Sequence, residues 1–343
     1  MIIVLKPHAS DADVRHVEEN VRNLGYEPHT IRGAVLTVVA AVGDETTRSS
    51  LETLENLPMV DKVMPVQKRF KLISREAHPD PTLVRVGPLT IGGGVFHVIA
   101  GPCSVENLEQ TTAAARAVAE AGATLLRGGA FKPRTSPYDF QGLGEPALDI
   151  LKRVKERTGL PVVSEVIRES DILKMIPIVD VLQIGARNAL NYSLLEAVSK
   201  TQKPVLLKRG LAATIEEWLL AAEYLVKNGN RNVILCERGI RTFEKATRNT
   251  LDLSAVAVAK LECTLPVFVD PSHAAGRRDL IIPLSKAAVA AGADGLMIEV
   301  HEHPEAAFSD GIQHLDPDMF RTLMREIAPF VAAAGKRMAV SAP

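Results

Sequence analysis

Residues 126–142 read LRGGAFKPRTSPYDFQG. A short apolar run, 123–126, leads into them, so Arg127 stands where a buried strand ends. Lys132 and Arg134 follow, beside Gly128, Gly129 and the hydroxyls of Thr135, Ser136 and Tyr138. Cations packed this closely at the edge of a core repel one another and lose hydration, and burying even one unpaired ion costs several kcal/mol. Guanidinium forks suit phosphate and carboxylate, and glycines let backbone N–H groups come close. The stretch therefore reads as a strand whose C-terminal end opens into an anion-binding loop. The plain alternative is a solvated basic loop with a few weak surface ion pairs.

Working outward, the same unit recurs. Short β-branched runs at 96–100, 124–127, 161–165, 181–184, 205–208, 233–236, 267–269 and 295–300 alternate with helical patterns at 108–121, 147–157, 214–228, 251–261 and 280–291, and a last helix spans about 316–334. Eight strand–helix units in about 250 residues match a (β/α)8 TIM barrel. A doubly wound open sheet shares the alternation, since alternation alone does not show closure. A hairpin at 83–86 and 89–91, turning at Gly87-Pro88, precedes the first barrel strand.

The chain upstream has a different rhythm. A strand at 2–5, a helix capped by Ser10 with Val14, Val17, Val21 and Leu24 on one face, a hairpin of 27–32 and 34–41 about Gly33, a helix at 46–57 and a strand at 60–66 suit a small ferredoxin-like α+β domain. The expected organisation is a domain at 1–67, a polar, proline-bearing linker at 68–82, and the barrel at 83–343. Net charge is −1, which points to neither nucleic acid nor an anionic membrane as partner. No apolar run approaches a membrane span, and three cysteines are too few for a disulfide framework. A cytoplasmic protein is the expectation.

In a (β/α)8 barrel the chemistry sits at the C-terminal strand ends. The first strand ends at Cys103, the seventh at Asp270 and His273, and the eighth at Glu299 and His301 with Asp310 beyond. These strands are neighbours in a closed barrel, so Cys103, His273, Glu299 and Asp310 can converge on one divalent transition metal. Taken singly, a buried cysteine is a core residue and a lone histidine is a hydrogen-bonded one. The opposite arc is cationic, with Arg127, Arg187, Lys208, Arg209, Arg238 and Arg241 at or beyond strand ends. Glu165 and Glu237 can neutralise part of it, and the excess favours a small polyanionic ligand. Lys208 also admits a Schiff-base role in a metal-independent aldolase.

GPCSVE (101–106), LRGGAFKPRTSPY (126–138), IGARN (184–188), LLKRG (206–210), CERGIRTF (236–243), DPSH (270–273) and IEVH (298–301) together resemble 3-deoxy-D-arabino-heptulosonate 7-phosphate (DAHP) synthase, in the subtype with an N-terminal ferredoxin-like regulatory domain. KPRTSP is the discriminating piece, since the sister 3-deoxy-octulosonate 8-phosphate synthases carry a different loop there. The resemblance implies condensation of phosphoenolpyruvate with erythrose 4-phosphate and water, the entry step of the shikimate pathway of aromatic amino acid biosynthesis. It implies Cys103, His273, Glu299 and Asp310 as ligands of Mn²⁺ or another transition metal. Arg127, Lys132 and Lys208 would meet the phosphoenolpyruvate carboxylate, Arg187 and Arg238 its phosphate, and Glu165 a water. Lys132, Pro133, Arg134, Thr135 and Ser136 would meet erythrose 4-phosphate.

The same resemblance implies a homotetramer and an N-terminal domain that senses tyrosine or phenylalanine. Polar residues near its second strand and hairpin take part in that subtype. Here the stretch is His29-Thr30-Ile31-Arg32-Gly33, with His29 the regulatory candidate and Ile31 standing where related sequences have a serine. Other readings are the sister synthase using arabinose 5-phosphate, a packing or oligomerisation role for the first domain, and a catalytically silent amino-acid sensor.

Overall fold

The computed structural model describes residues 1–33, 36–43, 51–64, 69–75, 79–134 and 136–340. Thr135, residues 46–50 of the expected second helix, the end of the strand expected at 60–66, and 76–78 of the expected linker lie outside them. The chain divides into two units, Met1–Arg69 and Phe70–Pro343.

In the first unit, β1 (Ile2–Leu5), α1 (Asp11–Asn23), β2 (Glu27–Arg32), β3 (Thr37–Val42) and β4 (Val60–Met64) follow in order. Helix α1 starts at a capping box. The Ser10 hydroxyl accepts from the Asp13 N–H, and the Asp13 carboxylate accepts from the Ser10 N–H at 2.8 Å. Its buried face, Val14, Val17 and Val21, packs on Ile3, Leu5, Val39 and Ala41 of the sheet. The antiparallel order β2-β3-β1-β4 is the ferredoxin-like one. The expected second helix is corrected in its described part, because Leu51–Asn56 is a 3-10 helix. Its apolar residues explain the difference: Leu51, Leu54 and Leu57 recur every third position, matching three residues per turn.

In the second unit, β5 (Val84–Val86) and β6 (Leu89–Ile91) form the hairpin. Eight parallel strands follow: β7 (Val95–Gly101), β8 (Leu125–Arg127), β9 (Val162–Val166), β10 (Val181–Ile184), β11 (Val205–Lys208), β12 (Val233–Glu237), β13 (Val267–Val269) and β14 (Gly295–Glu299). Strand β14 pairs back onto β7, with Gly295 opposite His97 and Glu299 opposite Gly101. The sheet is therefore a closed barrel, not the open alternative. Between the strands run α2 (Leu108–Glu120), α3 (Glu145–Thr158), α4 (Glu169–Met175), α5 (Tyr192–Ser199), α6 (Ile215–Lys227), α7 (Leu253–Glu262), α8 (Pro271–Ala275) and α9 (Ile281–Ala290). Helix α10 (Pro317–Ala333) and a short β15 (Arg337–Met338) beside β7 complete the chain.

Alternate residues of each strand face inward or outward. The inward set, including Ile99, Leu125, Val163, Leu206, Ile234, Phe268 and Met297, forms one cluster with Val84, Val86, Leu89 and Ile91 of the hairpin. The hairpin thus plugs the interior away from the strand C-termini and leaves the other mouth for chemistry. Gly295 is required by this packing, because a Cβ there would stand 2.4 Å from the Phe268 ring. The outward set packs on the helices.

The segment expected as a linker contains a docked portion. Phe70, Ile73 and Ser74 are buried, and one Glu223 carboxylate accepts from the N–H groups of Lys71, Leu72 and Ile73 at 2.8, 2.8 and 3.2 Å. Among the described residues no helix is long and apolar enough to cross a membrane.

Candidate active site at the barrel mouth

Cys103 follows β7, His273 lies in α8 after β13, Glu299 ends β14, and Asp310 stands in the loop beyond. One donor atom from each lies within 4.8 Å of the others. The Cys103 thiol is 3.2 Å from Asp310 Oδ2, and His273 Nε2 is 3.3 Å from Glu299 Oε1. Asp310 adopts a left-handed backbone, φ 56°, which turns its carboxylate back toward Cys103. Burial pushes the Cys103 thiol up to about 12, with Glu299 adding to it against Lys132 and Arg127. Burial also lowers His273 to about 4 against Asp270 and Glu299, so the imidazole is neutral and has a lone pair to give. A thiol, a neutral imidazole and two carboxylates are the donor set of a transition-metal site, in which an ion takes the place of the thiol proton. The residues present fit such an ion.

The cluster is held from behind. Asp270 Oδ2 sits 2.7 Å from His273 Nδ1, which turns Nε2 toward Glu299. The same oxygen accepts from Lys208 Nζ at 2.5 Å. Burial opposes ionisation of Asp270, but His273 and Lys208 hold it well below the usual carboxylate range. Glu299 is likewise buried and held low by His273 and Arg127, with Arg127 Nη1 donating to Oε1 and Gln313 Nε2 to Oε2, both at 2.5 Å. Lys132 Nζ donates to Cys103 Sγ at 2.9 Å and to the Cys103 carbonyl at 3.2 Å. Burial disfavours its charge, yet Cys103 and Glu299 raise it, so Lys132 remains an ammonium.

Beside the cluster opens a cleft lined by Lys132, Pro133, Arg134, Glu165, Gln183, Arg187, Lys208, Arg238 and Arg248, reaching His273 and Asp310. Arg238 is buried, and burial lowers its affinity for a proton; it donates to the carbonyls of Gly239 and His273 at 3.3 and 3.5 Å. Gln183 Nε2 donates to Glu165 Oε2 at 3.2 Å, fixing that carboxylate on the cleft wall. Arg134 donates to the Ser309 hydroxyl and, at 3.0 Å, to the Phe140 carbonyl, tying the loop after β8 to the loop that carries Asp310.

The expected residues therefore divide. Cys103, His273, Glu299 and Asp310 converge; Lys132, Pro133, Arg134, Glu165, Arg187, Lys208 and Arg238 line the cleft beside them. Arg127 lies behind the cluster, engaged by Glu299 and the Cys103 carbonyl. Ser136 turns into its own loop, its hydroxyl accepting from the Tyr138 N–H at 3.2 Å. His29 stands exposed on β2 of the first unit, 3.9 Å from Glu27.

The cationic arc carries more internal neutralisation than two glutamates supply. Arg209 pairs with Glu237 and Asp252 at 3.1 and 2.8 Å, Lys208 with Asp270, Arg127 with Glu299, and Arg248 with Asp310 at 3.4 Å. Arg241 is exposed and does not line the cleft. Lys132, Arg134, Arg187 and Arg238 also line the cleft. Sequence reading missed Gln183 and Arg248. Gln183 carried a signal, a polar residue in the otherwise apolar strand VLQI.

Residues 73–331 match the DAHP synthetase I family, and residues 1–68 match the DAHP synthase ferredoxin-like domain. The chain belongs to the DAHP synthetase I family. Across 98% of its length it is 49% identical to the whole of the phospho-2-dehydro-3-deoxyheptonate aldolase of Thermotoga maritima. A crystal structure of that aldolase, also called DAHP synthase, superposes with a TM-score of 0.91 at 48% identity, covering 98% of this chain and 99% of the other. The 2-dehydro-3-deoxyphosphooctonate aldolase of Syntrophotalea carbinolica is 34% identical over 72% of this chain and 95% of its own length. DAHP synthetase I membership and a cluster of four side chains able to hold a metal ion together support a metal requirement.

Proposed function

We propose that this chain is a DAHP synthase: it joins C3 of phosphoenolpyruvate to the aldehyde carbon of erythrose 4-phosphate, adds water at C2 and releases phosphate by C–O cleavage. This is the first step of the shikimate pathway. The observation that carries the reading is a four-ligand cluster sharing one cleft with buried lysine and arginine, in a chain 49% identical throughout to a named heptonate aldolase.

A bound divalent ion supplies Lewis-acid polarisation of the aldehyde. The chain's own residues do the rest. Arg187 and Arg238 grip the phosphoenolpyruvate phosphate, and Lys132 and Lys208 its carboxylate, while Arg127, engaged by Glu299 behind the cluster, adds positive charge on that side. Bringing two phosphorylated substrates together costs repulsion, which this fixed cationic wall offsets before reaction begins. Lys132 Nζ holds a proton for the aldehyde oxygen as it becomes hydroxyl. Glu165, clamped by Gln183, orients the water that adds at C2. Arg134, Pro133, Thr135 and Ser136 receive erythrose 4-phosphate. Lys208 Nζ is taken up by Asp270 at 2.5 Å, and this engagement disfavours a Schiff-base role.

The ion is Mn²⁺ or another transition metal, as the mixed sulfur, nitrogen and oxygen set suits. The assembly is a homotetramer in the cytoplasm, and the first unit binds tyrosine or phenylalanine with His29 among its contacts. The test is phosphate release from phosphoenolpyruvate with erythrose 4-phosphate or arabinose 5-phosphate, with and without chelator and either amino acid. The expected result is turnover of the four-carbon aldose alone, lost on chelation, restored by Mn²⁺ and reduced by one amino acid. Preference for arabinose 5-phosphate would assign the sister activity. Full activity after verified metal removal would refute the metal role.

A further inference from the structure

Two of the four cluster residues come from parts of the chain with no regular pairing between them. Cys103 follows β7, and Asp310 sits on an irregular loop at φ 56°. One side chain bridges them. His314, fully buried, accepts from the Cys103 backbone N–H through Nε2 at 3.0 Å, and its Nδ1 lies 3.0 Å from the Asp310 carbonyl. An N–H can only donate, so Nε2 carries the lone pair and Nδ1 carries the hydrogen toward Asp310. The ring is backed by His301, edge to face at 5.7 Å between centroids. The adjacent Gln313 donates to Glu299 Oε2 at 2.5 Å, so two consecutive side chains reach three of the four ligands.

We infer that His314 is a positioning residue for the metal centre: a neutral, Nδ1-protonated imidazole that sets the Cys103 thiolate and the Asp310 carboxylate at ligating separation. The inference rests on the four-ligand reading of the proposed function. Its physical basis is that the Cys103 thiol meets the Asp310 loop through side chains, 3.2 Å from Asp310 Oδ2 and 3.3 Å from the Ser309 hydroxyl, while the dry imidazole bridge of two hydrogen bonds fixes both backbones. Gln and Asn substitutions separate the two bonds. A glutamine amide reaches the place of Nε2 and keeps an acceptor before Cys103. An asparagine amide reaches only the place of Nδ1 and leaves that buried N–H without its acceptor.

The experiment titrates the chelated full-length protein with Co²⁺ and follows the near-ultraviolet thiolate-to-cobalt absorption. Wild type is expected to show the band at one equivalent. His314→Gln, which gives up only the bond to Asp310, should lose about threefold in affinity, and His314→Asn, which orphans the buried Cys103 N–H, should lose about tenfold or more, the scale of a lost outer-layer ligand contact. Equal affinity in all three proteins overturns the inference, as does equal loss in both variants. A wild type that binds Co²⁺ without a thiolate band overturns instead the ligand reading beneath it. The imidazole ¹⁵N spectrum of the wild type provides a readout independent of variant folding: the resonance missing from His314→Gln should be an Nδ1–H tautomer. An Nε2–H tautomer there overturns the inference.

Discussion

Gly185→Ala separates catalysis from stability at Glu165. Gly185 has φ −72° and ψ 161°, so alanine meets no backbone strain there. A Cβ built on it, however, stands 1.9 Å from Glu165 Oε1 and 2.6 Å from Cδ. Ordinary contact requires the carboxylate to retreat by about 1.5 Å. The clashing atoms are the far end of a side chain, so the fold yields cheaply. The loss is one hydrogen bond from Gln183, about 1 kcal/mol, set against about 0.4–1 kcal/mol gained by stiffening the unfolded chain. Catalysis does not yield so cheaply, because a 1 Å misplacement of a reacting group costs about 100-fold. We predict kcat down about 100-fold, about 2.7 kcal/mol on the barrier. The KM for phosphoenolpyruvate and the unfolding midpoint should remain near wild type. Steady-state phosphate release and a thermal melt read both. A variant within threefold of wild-type kcat would refute the assignment of water orientation to Glu165.

Cys103→Ser should weaken binding of thiophilic ions such as Cd²⁺ and Co²⁺ far more than Mn²⁺, read by competition with a metal indicator; equal losses would remove sulfur from the ligand set. Lys208→Met should cost at least about 100-fold in kcat/KM through loss of an electrostatic donor, with Asp270 left to His273 alone, and a Schiff-base trap with borohydride should label neither protein. Asp294 is a purely structural case. Burial raises its carboxyl, but Lys260 and Lys336, at 2.7 and 2.8 Å, more than reverse this and hold it below the usual range. Its stabilisation is complete above the unfolded carboxylate value and is lost as pH falls through the lower folded value. Asp294→Asn should therefore lower the urea midpoint by an amount equivalent to about 3 kcal/mol at pH 7, and the difference from wild type should shrink in strong acid.

The barrel was legible because parallel strands buried on both faces read as short apolar runs, and the observed β10, β11 and β13 fall where those runs do. The shorter elements were not. Helices α4, α5 and α8 have 7, 8 and 5 residues, too few for a periodic stripe to stand out from the loops around them. The convergence of Cys103, His273, Glu299 and Asp310 was legible because closure forces strand ends together, whatever their separation in sequence. Their partners were not. Asp270 holding both Lys208 and His273, or Gln313 reaching Glu299, depends on side-chain direction across neighbouring strand ends, which spacing does not encode. Docking of 70–75 was hidden for the same reason, since its acceptor, Glu223, stands about 150 residues away on α6. The polar composition that resembles a linker there is backbone amide satisfied by a distant carboxylate.

The most direct measurement is anomalous diffraction from crystals of the full chain loaded with Mn²⁺ and phosphoenolpyruvate. The account predicts a single metal peak bounded by Cys103 Sγ, His273 Nε2 and oxygens of Glu299 and Asp310, with the ligand's phosphate lying against Arg187 and Arg238. A peak elsewhere, or phosphoenolpyruvate ordered in the cleft of active crystals with no metal between those four side chains, would contradict it.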